Sequence, residues 1–250
     1  MKIECLPGQK LTDSEYAVLN YIEHQQCIIE LLSLEDIAKG AFVSNATVSR
    51  TIRKCGYSSF SEMKYRLSEK TKKHAPSNEM NRVLSKSYTE CVETIKRIDI
   101  SAVLKIVQAL RDTSVIYLLA NGLTALIANE FAIQLQCQKM KVCLITDSEM
   151  MKKLDLLVTK NDLVFVLSVK NSTPELAIGL KLAKEIGAKT VVCCCTPGTP
   201  LEGLADTVLY GYTQPISPNR MFGGTSRLAL MIITRTIVEY IASENEILTQ

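Results

Sequence analysis

Three short stretches of this chain carry side chains that could do chemistry. Two are runs of small polar residues that lead into helices: Asn121, Gly122, Leu123 and Thr124, and Ser168, Val169, Lys170, Asn171, Ser172 and Thr173. Backbone N–H groups, hydroxyls and the positive end of a helix dipole suit a phosphate or other anion, and Lys170 adds a full charge. The same spacing is met if Ser172 and Thr173 merely cap the following helix. The third stretch is Ser44 to Cys55, where Asn45, Ala46, Thr47, Ser49, Arg50, Arg53 and Lys54 fall on one side of a helix. Short hydroxyl and amide groups can approach base edges, and Arg and Lys can reach phosphates. A solvated basic face is the alternative reading. Isomerase chemistry lacks its general base. His24 and His74 are remote from the polar loops, and Glu175, the nearest carboxylate, sits one turn into a helix. No catalytic residue, metal ligand or cofactor is therefore expected.

The basic helix needs elements to present it. In SLEDIAKGAFVSNATVSRTIRKCG, Ser33 and Asp36 form a capping box, and Leu34, Ile37 and Ala38 make an inward stripe. Gly40 can supply a positive φ that ends this helix, and Phe42 and Val43 are apolar residues expected to plug the turn. Ser44 caps the second helix, Val48, Ile52 and Cys55 face inward, and Gly56 closes it. Two short helices with a tight turn are the layout of a helix-turn-helix that reads the major groove of a DNA duplex. Upstream, Thr12 and Glu15 open a helix through about Gln26 with Tyr16, Leu19, Ile22 and Glu23 along one side, and Leu31 and Leu32 cover the same core. Downstream, Phe60, Met63 and Leu67 point inward from another helix.

Charge agrees with a polyanionic partner. Residues 39–73 hold nine Lys or Arg against two Glu, whereas residues 1–38 hold two Lys against seven Asp or Glu. The whole chain is only +3, so the excess is local. Such a block neutralises phosphates and releases counterions. The first ten residues lack the apolar run of a secretion signal, and no apolar stretch is long enough for a membrane span, so a cytoplasmic protein is expected. The nine cysteines show no CxxC pair. Cys193, Cys194 and Cys195 are consecutive, so on a strand they alternate between faces, and reduced, buried thiols are the simple reading.

From residue 114 onward, apolar strand runs alternate with helices: 114–120, 141–145, 162–168, 190–195 and 207–210 read as strands. Continuous apolar runs fit parallel strands buried on both faces, and the alternation implies a three-layer α/β domain. The expected organisation is an all-α helix-turn-helix domain over residues 1–73, a polar linker over 74–80, and an α/β domain over 81–250. In such a sheet, ligands bind beyond the carboxyl ends of the strands, where both polar loops fall.

The segments LTDSEYAVLNYIEH and SLEDIAKGAFVSNATVSRTIRKCGYSSFSEMKYRL resemble the N-terminal domain of RpiR-type bacterial transcriptional regulators. VIYLLANGLT, DLVFVLSVKNSTPE, AKEIGAKTVVCCCTPGTPLEGLADTVL and GGTSRLALM resemble the sugar isomerase (SIS) domain that this family carries. The resemblance spans nearly the whole chain. It implies a regulator of sugar catabolism genes whose SIS domain, built on five parallel strands, senses a phosphosugar and forms dimers or tetramers. The ligand residues it implies are Asn121, Gly122, Thr124, Ser168, Lys170, Asn171, Ser172 and Thr173. Two loops depart from the family pattern. GxGxS becomes Ala120 to Thr124, without the first Gly and with Thr for Ser. SxSGxT keeps Ser168 and Thr173 but has Lys170 for the middle Ser and Asn171 for the Gly. Asn tolerates a positive φ, so Asn171 can keep the backbone shape. Alternative expectations are a SIS domain that only dimerises a DNA-binding protein, and a phosphosugar isomerase. A single reading helix makes few base contacts, so a dimer on palindromic double-stranded operator DNA is expected.

Overall fold

The computed structural model describes residues 3, 5–6, 8–25, 29, 32–72, 75–214 and 225–248. The chain divides into two compact units, Met1–Thr89 and Glu90–Gln250.

The first unit is helical. Helix α1 (Asp13–His24) starts at a capping box in which Glu15 N–H donates to Thr12 Oγ1 and Thr12 N–H donates to Glu15 Oε2. Helix α2 (Leu34–Gly40) starts at the equivalent box of Ser33 and Asp36. Helices α3 (Asn45–Lys54) and α4 (Phe60–Lys72) follow. Their apolar sides enclose one core, with Val18, Ile22, Ile37, Val48, Ile52 and Met63 among its fully buried members. The inward side of α1 is Glu15, Val18, Leu19 and Ile22, while Tyr16, expected on that side, is exposed. Leu32 is buried as expected, whereas Gln26 and Leu31 lie outside the described residues.

The turn between α2 and α3 differs from expectation in two ways. Gly40 is a helical residue without a positive φ, and a Cβ there would run into the Tyr21 ring. Its smallness lets that ring lie against the backbone. The left-handed residue is Phe42 instead, at φ 55°. Val43 packs on the core, but Phe42 does not plug the turn and is 94% exposed. A left-handed residue directs its side chain away from the path its neighbours follow, so one apolar residue enters the core and the other leaves it. Gly56 has the expected positive φ of 82°, and Tyr57 N–H bonds back to Ile52 O, closing α3.

Helix α5 (Ala75–Arg97) begins earlier than the expected start at residue 81, so residues 75–80 of the expected linker are helical. Pro76 falls in the first turn, where its missing N–H costs no helical hydrogen bond, and no glycine interrupts the run.

The second unit continues with α6 (Ile100–Arg111), β1 (Ile116–Leu119), α7 (Thr124–Cys137), β2 (Val142–Ile145), α8 (Ser148–Lys152), β3 (Leu163–Ser168), α9 (Pro174–Ile186), β4 (Lys189–Cys194), β5 (Thr207–Tyr210) and α10 (Leu228–Leu248). The five strands form one parallel sheet in the order β2-β1-β3-β4-β5. Successive strand residues serve opposite layers. Phe165 and Cys193 enter the core shared with α6, α7 and α10, while Val164, Val166 and Cys194 enter the core shared with α8 and α9. Phe131 of α7 meets Phe165 edge to face, 5.3 Å between ring centres. The last residues of α5 belong to this unit. The buried Glu90 accepts from Thr213 Oγ1 (2.9 Å) and Gln214 N–H (2.8 Å), and Arg97 lies over the Tyr212 ring.

Burial pushes the Cys195 thiol up to about 12 and raises Cys193 and Cys194. Not every thiol is buried: Cys137 is exposed, on the outer side of α7. Among the described residues, no three His, Cys, Asp or Glu side chains group closely enough to hold a metal ion. No described helix is long and apolar enough to cross a membrane.

Candidate functional site

The basic helix α3 is fixed from within and open without. Val48, Thr51 and Ile52 are buried, and Thr51 Oγ1 donates to Thr47 O, 2.8 Å. Ser44 Oγ accepts from Thr47 N–H (3.2 Å) and lies 3.0 Å from Thr47 Oγ1. Thr47 is thus half-buried and tied to the cap. Asn45, Ala46, Arg50 and Arg53 are exposed, and Ser49 is half-exposed beside them. Among the described residues, neither Arg50 nor Arg53 has an acidic partner. No acid lies in the first turn of the helix. The outward face therefore offers an amide, a hydroxyl and two guanidinium groups that are not committed elsewhere.

Lys54 departs from the expected face. Its ammonium turns back into the unit, 2.8 Å from Glu15 Oε2 and 3.0 Å from Lys10 O. Glu15 is only 2% exposed, so its carboxylate needs a counter-charge, and Lys54 at the end of α3 supplies it. The hydrogen bond from Lys54 lowers the Glu15 pKa below its ordinary 4.5, and the Thr12 N–H adds to the effect. A carboxylate whose folded pKa is depressed contributes stability above its unfolded pKa and loses it as pH falls through the folded value. Acid titration followed by circular dichroism is expected to melt the helical unit below about pH 4.5. Glu15→Gln is expected to remove part of that acid sensitivity, and an unchanged titration curve would reject the assignment.

The second set of candidate residues lies at the carboxyl edge of the sheet. β1 and β3 are adjacent and parallel, with Leu119 opposite Val166, so the loops that leave them are neighbours. The chain passes from β1 to β2 on one side and returns to β3 on the other, which makes this the topological switch point of the sheet. In the first loop, Gly122 has a φ of 57°, Asn121 Nδ2 reaches Ser148 Oγ (3.4 Å), and Thr124 is buried at the start of α7. Leu123 holds the cap position of α7 and gives no side-chain cap.

In the second loop, Lys170 and Ser172 are exposed, while Ser168 and Asn171 are buried. Asn171 has a φ of 52°, the left-handed shape expected of it. Its N–H donates to Ser168 Oγ (3.0 Å), and its Nδ2 donates to Thr199 Oγ1 (3.0 Å) and Thr196 O (3.4 Å). It therefore fastens the loop to the segment after β4, a role for which the sequence carries no local signal. Its Oδ1 is buried and, among the described residues, has no hydrogen-bond partner. Thr173 occupies the cap position of α9, but its side chain makes no cap hydrogen bond. Glu175 forms an ion pair with Lys152 at 4.0 Å, and in the first turn of α9 Pro174 has no N–H and Leu176 N–H bonds to Thr173 O.

Comparison with known proteins places both units. Residues 109–238 match the SIS domain, and residues 3–74 match the helix-turn-helix domain of the rpiR family. An uncharacterised HTH-type transcriptional regulator of Haemophilus influenzae is 28% identical over 217 residues, covering 80% of this chain and 75% of that protein. One from Clostridium perfringens is 25% identical over 214 residues, covering 80% and 77%. The NanR protein of Vibrio vulnificus, solved in complex with ManNAc-6P, shares the fold with a TM-score of 0.61 at 19% identity, over 94% of this chain and 88% of that one. With a helix-turn-helix of the rpiR type ahead of a five-stranded parallel SIS sheet, the chain belongs to the RpiR-type transcriptional regulators that carry a SIS domain.

Proposed function

We propose that this regulator binds double-stranded operator DNA through the outward face of α3 and is controlled by a phosphosugar held at the switch point of its SIS sheet. The observation that carries the effector reading is a contrast between helix starts. Helices α1, α2, α3, α6 and α8 each begin at a residue whose own side chain accepts a backbone N–H. Helices α7 and α9, which begin at the two neighbouring loops, have no side-chain cap. Ala125, Leu126 and Leu176 N–H already turn back to the carbonyls of Gly122, Leu123 and Thr173, and Pro174 has no N–H. The Thr124 and Glu175 N–H groups are therefore what these helix starts can offer a ligand, and a phosphate is the acceptor that a helix start favours. Lys170, Ser172 and Thr173 supply a cation and hydroxyls around it, and Asn121, Gly122, Thr124, Ser168 and Asn171 shape the loops. The NanR complex with ManNAc-6P supports a phosphorylated sugar as the class of effector.

A sensor of this kind needs no general base, so the protein acts as a cytoplasmic regulator and not as an isomerase. Homodimers or homotetramers would set two reading helices on a palindrome. Exposed Met80, Val83, Leu84 and Ile95 give α5 an apolar side that association would cover. Calorimetry against hexose and aminosugar phosphates is expected to find at least one ligand. Lys170→Ala is expected to weaken it about tenfold, since a charge-assisted contact is worth about 1.5 kcal/mol. Silence across the whole panel would reject the sensor reading and leave the SIS domain as a dimerisation scaffold.

A further inference from the structure

The α2–α3 turn holds a residue that the fold of its own unit does not use. Phe42 is 94% exposed, more than any other large apolar side chain described, and the next is Leu156 at 76%. It sits at φ 55°, a region in which a bulky side chain is strained and glycine is at ease. The other positive-φ positions of this chain include five glycines, among them Gly56 at the far end of α3. At residue 42 the strain brings no packing in return, because the neighbouring Val43 makes the core contact. Glycine would serve the turn better.

The surroundings of Phe42 say what the ring is for. It stands two residues before Ser44, the cap of α3, and the first helical residues, Asn45 and Ala46, are exposed as well. In chain order the exposed ring thus directly precedes the exposed residues Asn45, Ala46, Arg50 and Arg53 of α3. We propose that Phe42 is a DNA-contacting residue. Its ring would bury apolar surface of the duplex, a thymine C5-methyl group or a deoxyribose edge, next to the groove entered by α3. This inference rests on the reading that α3 faces DNA, and its test separates the two.

The probe is a duplex selected from random sequence by the intact wild-type protein. Phe42→Ala and Phe42→Gly are expected to weaken binding about tenfold, the scale of one good base-edge contact. The slope of affinity against salt should not change, because no phosphate contact is lost. The melting temperature of the helical unit should stay level for Phe42→Ala and rise for Phe42→Gly, where strain is relieved. Phe42→Leu, which keeps apolar bulk, should retain most of the affinity. Replacing thymine by deoxyuridine in the duplex distinguishes the two surfaces: a matching loss assigns the methyl group, and no loss assigns the sugar. Binding within twofold of wild type, with Arg50→Ala still impaired, overturns the role of Phe42 alone and leaves a protein partner as the occupant of the ring. Binding unaffected by either variant overturns the α3 reading itself. A lower melting temperature for Phe42→Gly would show that the ring serves the fold, which also overturns the proposal.

Discussion

Lys54→Ala is expected to destabilise the helical unit strongly, although Lys54 stands among the residues that sequence alone assigns to DNA. The reason is the company it keeps. Glu15 is almost fully buried, and the Lys54 ammonium 2.8 Å away is its counter-charge. Removing one partner of a buried pair leaves the other charge unsolvated, which costs about 3 kcal/mol. A unit of this size has a net stability of only about 5 kcal/mol, so more than half of it would go. Thermal denaturation should show a large drop in the melting temperature of the first unit and none in the SIS unit. The double variant Glu15→Gln/Lys54→Met removes both charges, and it should recover most of the loss. A single variant as stable as wild type would mean that the pair contributes nothing and that Lys54 is free to face DNA after all.

Arg50→Ala is expected to do the reverse. Arg50 is exposed and, among the described residues, has no intramolecular partner, so the fold should not notice its removal. Affinity for a selected operator should fall by about 10- to 100-fold, the 1–3 kcal/mol of a bidentate arginine contact. The salt dependence tells which contact was lost. A slope reduced by about one assigns Arg50 to a phosphate, and an unchanged slope with relaxed sequence preference assigns it to a guanine. Undiminished binding would remove Arg50 from the interface. Together the two variants separate the two cations of one short helix, one tied into the fold and one left exposed for a partner to take up.

Local signals account for what the sequence determined by itself. Thr12, Ser33 and Ser44 cap their helices because each hydroxyl needs only an N–H three residues away. The five strands were legible because a parallel strand buried on both faces is a continuous apolar run. The left-handed shape of Asn171 followed from the residue type and the loop pattern, and the gap between β1 and α7 could be assigned to a turn from Gly122.

Tertiary structure alone decided the rest. The direction of Lys54 was set by a glutamate 39 residues earlier in the chain, and helical periodicity does not register a partner that packing brings into reach. Phe42 stays out of the core with a positive φ while Val43 packs against it, a division that hydrophobicity alone does not register. The two polar loops lie almost 50 residues apart in the chain. They become one candidate site only because β1 and β3 pair in the middle of the sheet, with the first crossover passing to one side and the later strands to the other. A sequence specifies hydrogen bonds across a single turn of helix through short-range sterics. It specifies which distant groups share a buried charge or a strand end only through the packing of the whole unit.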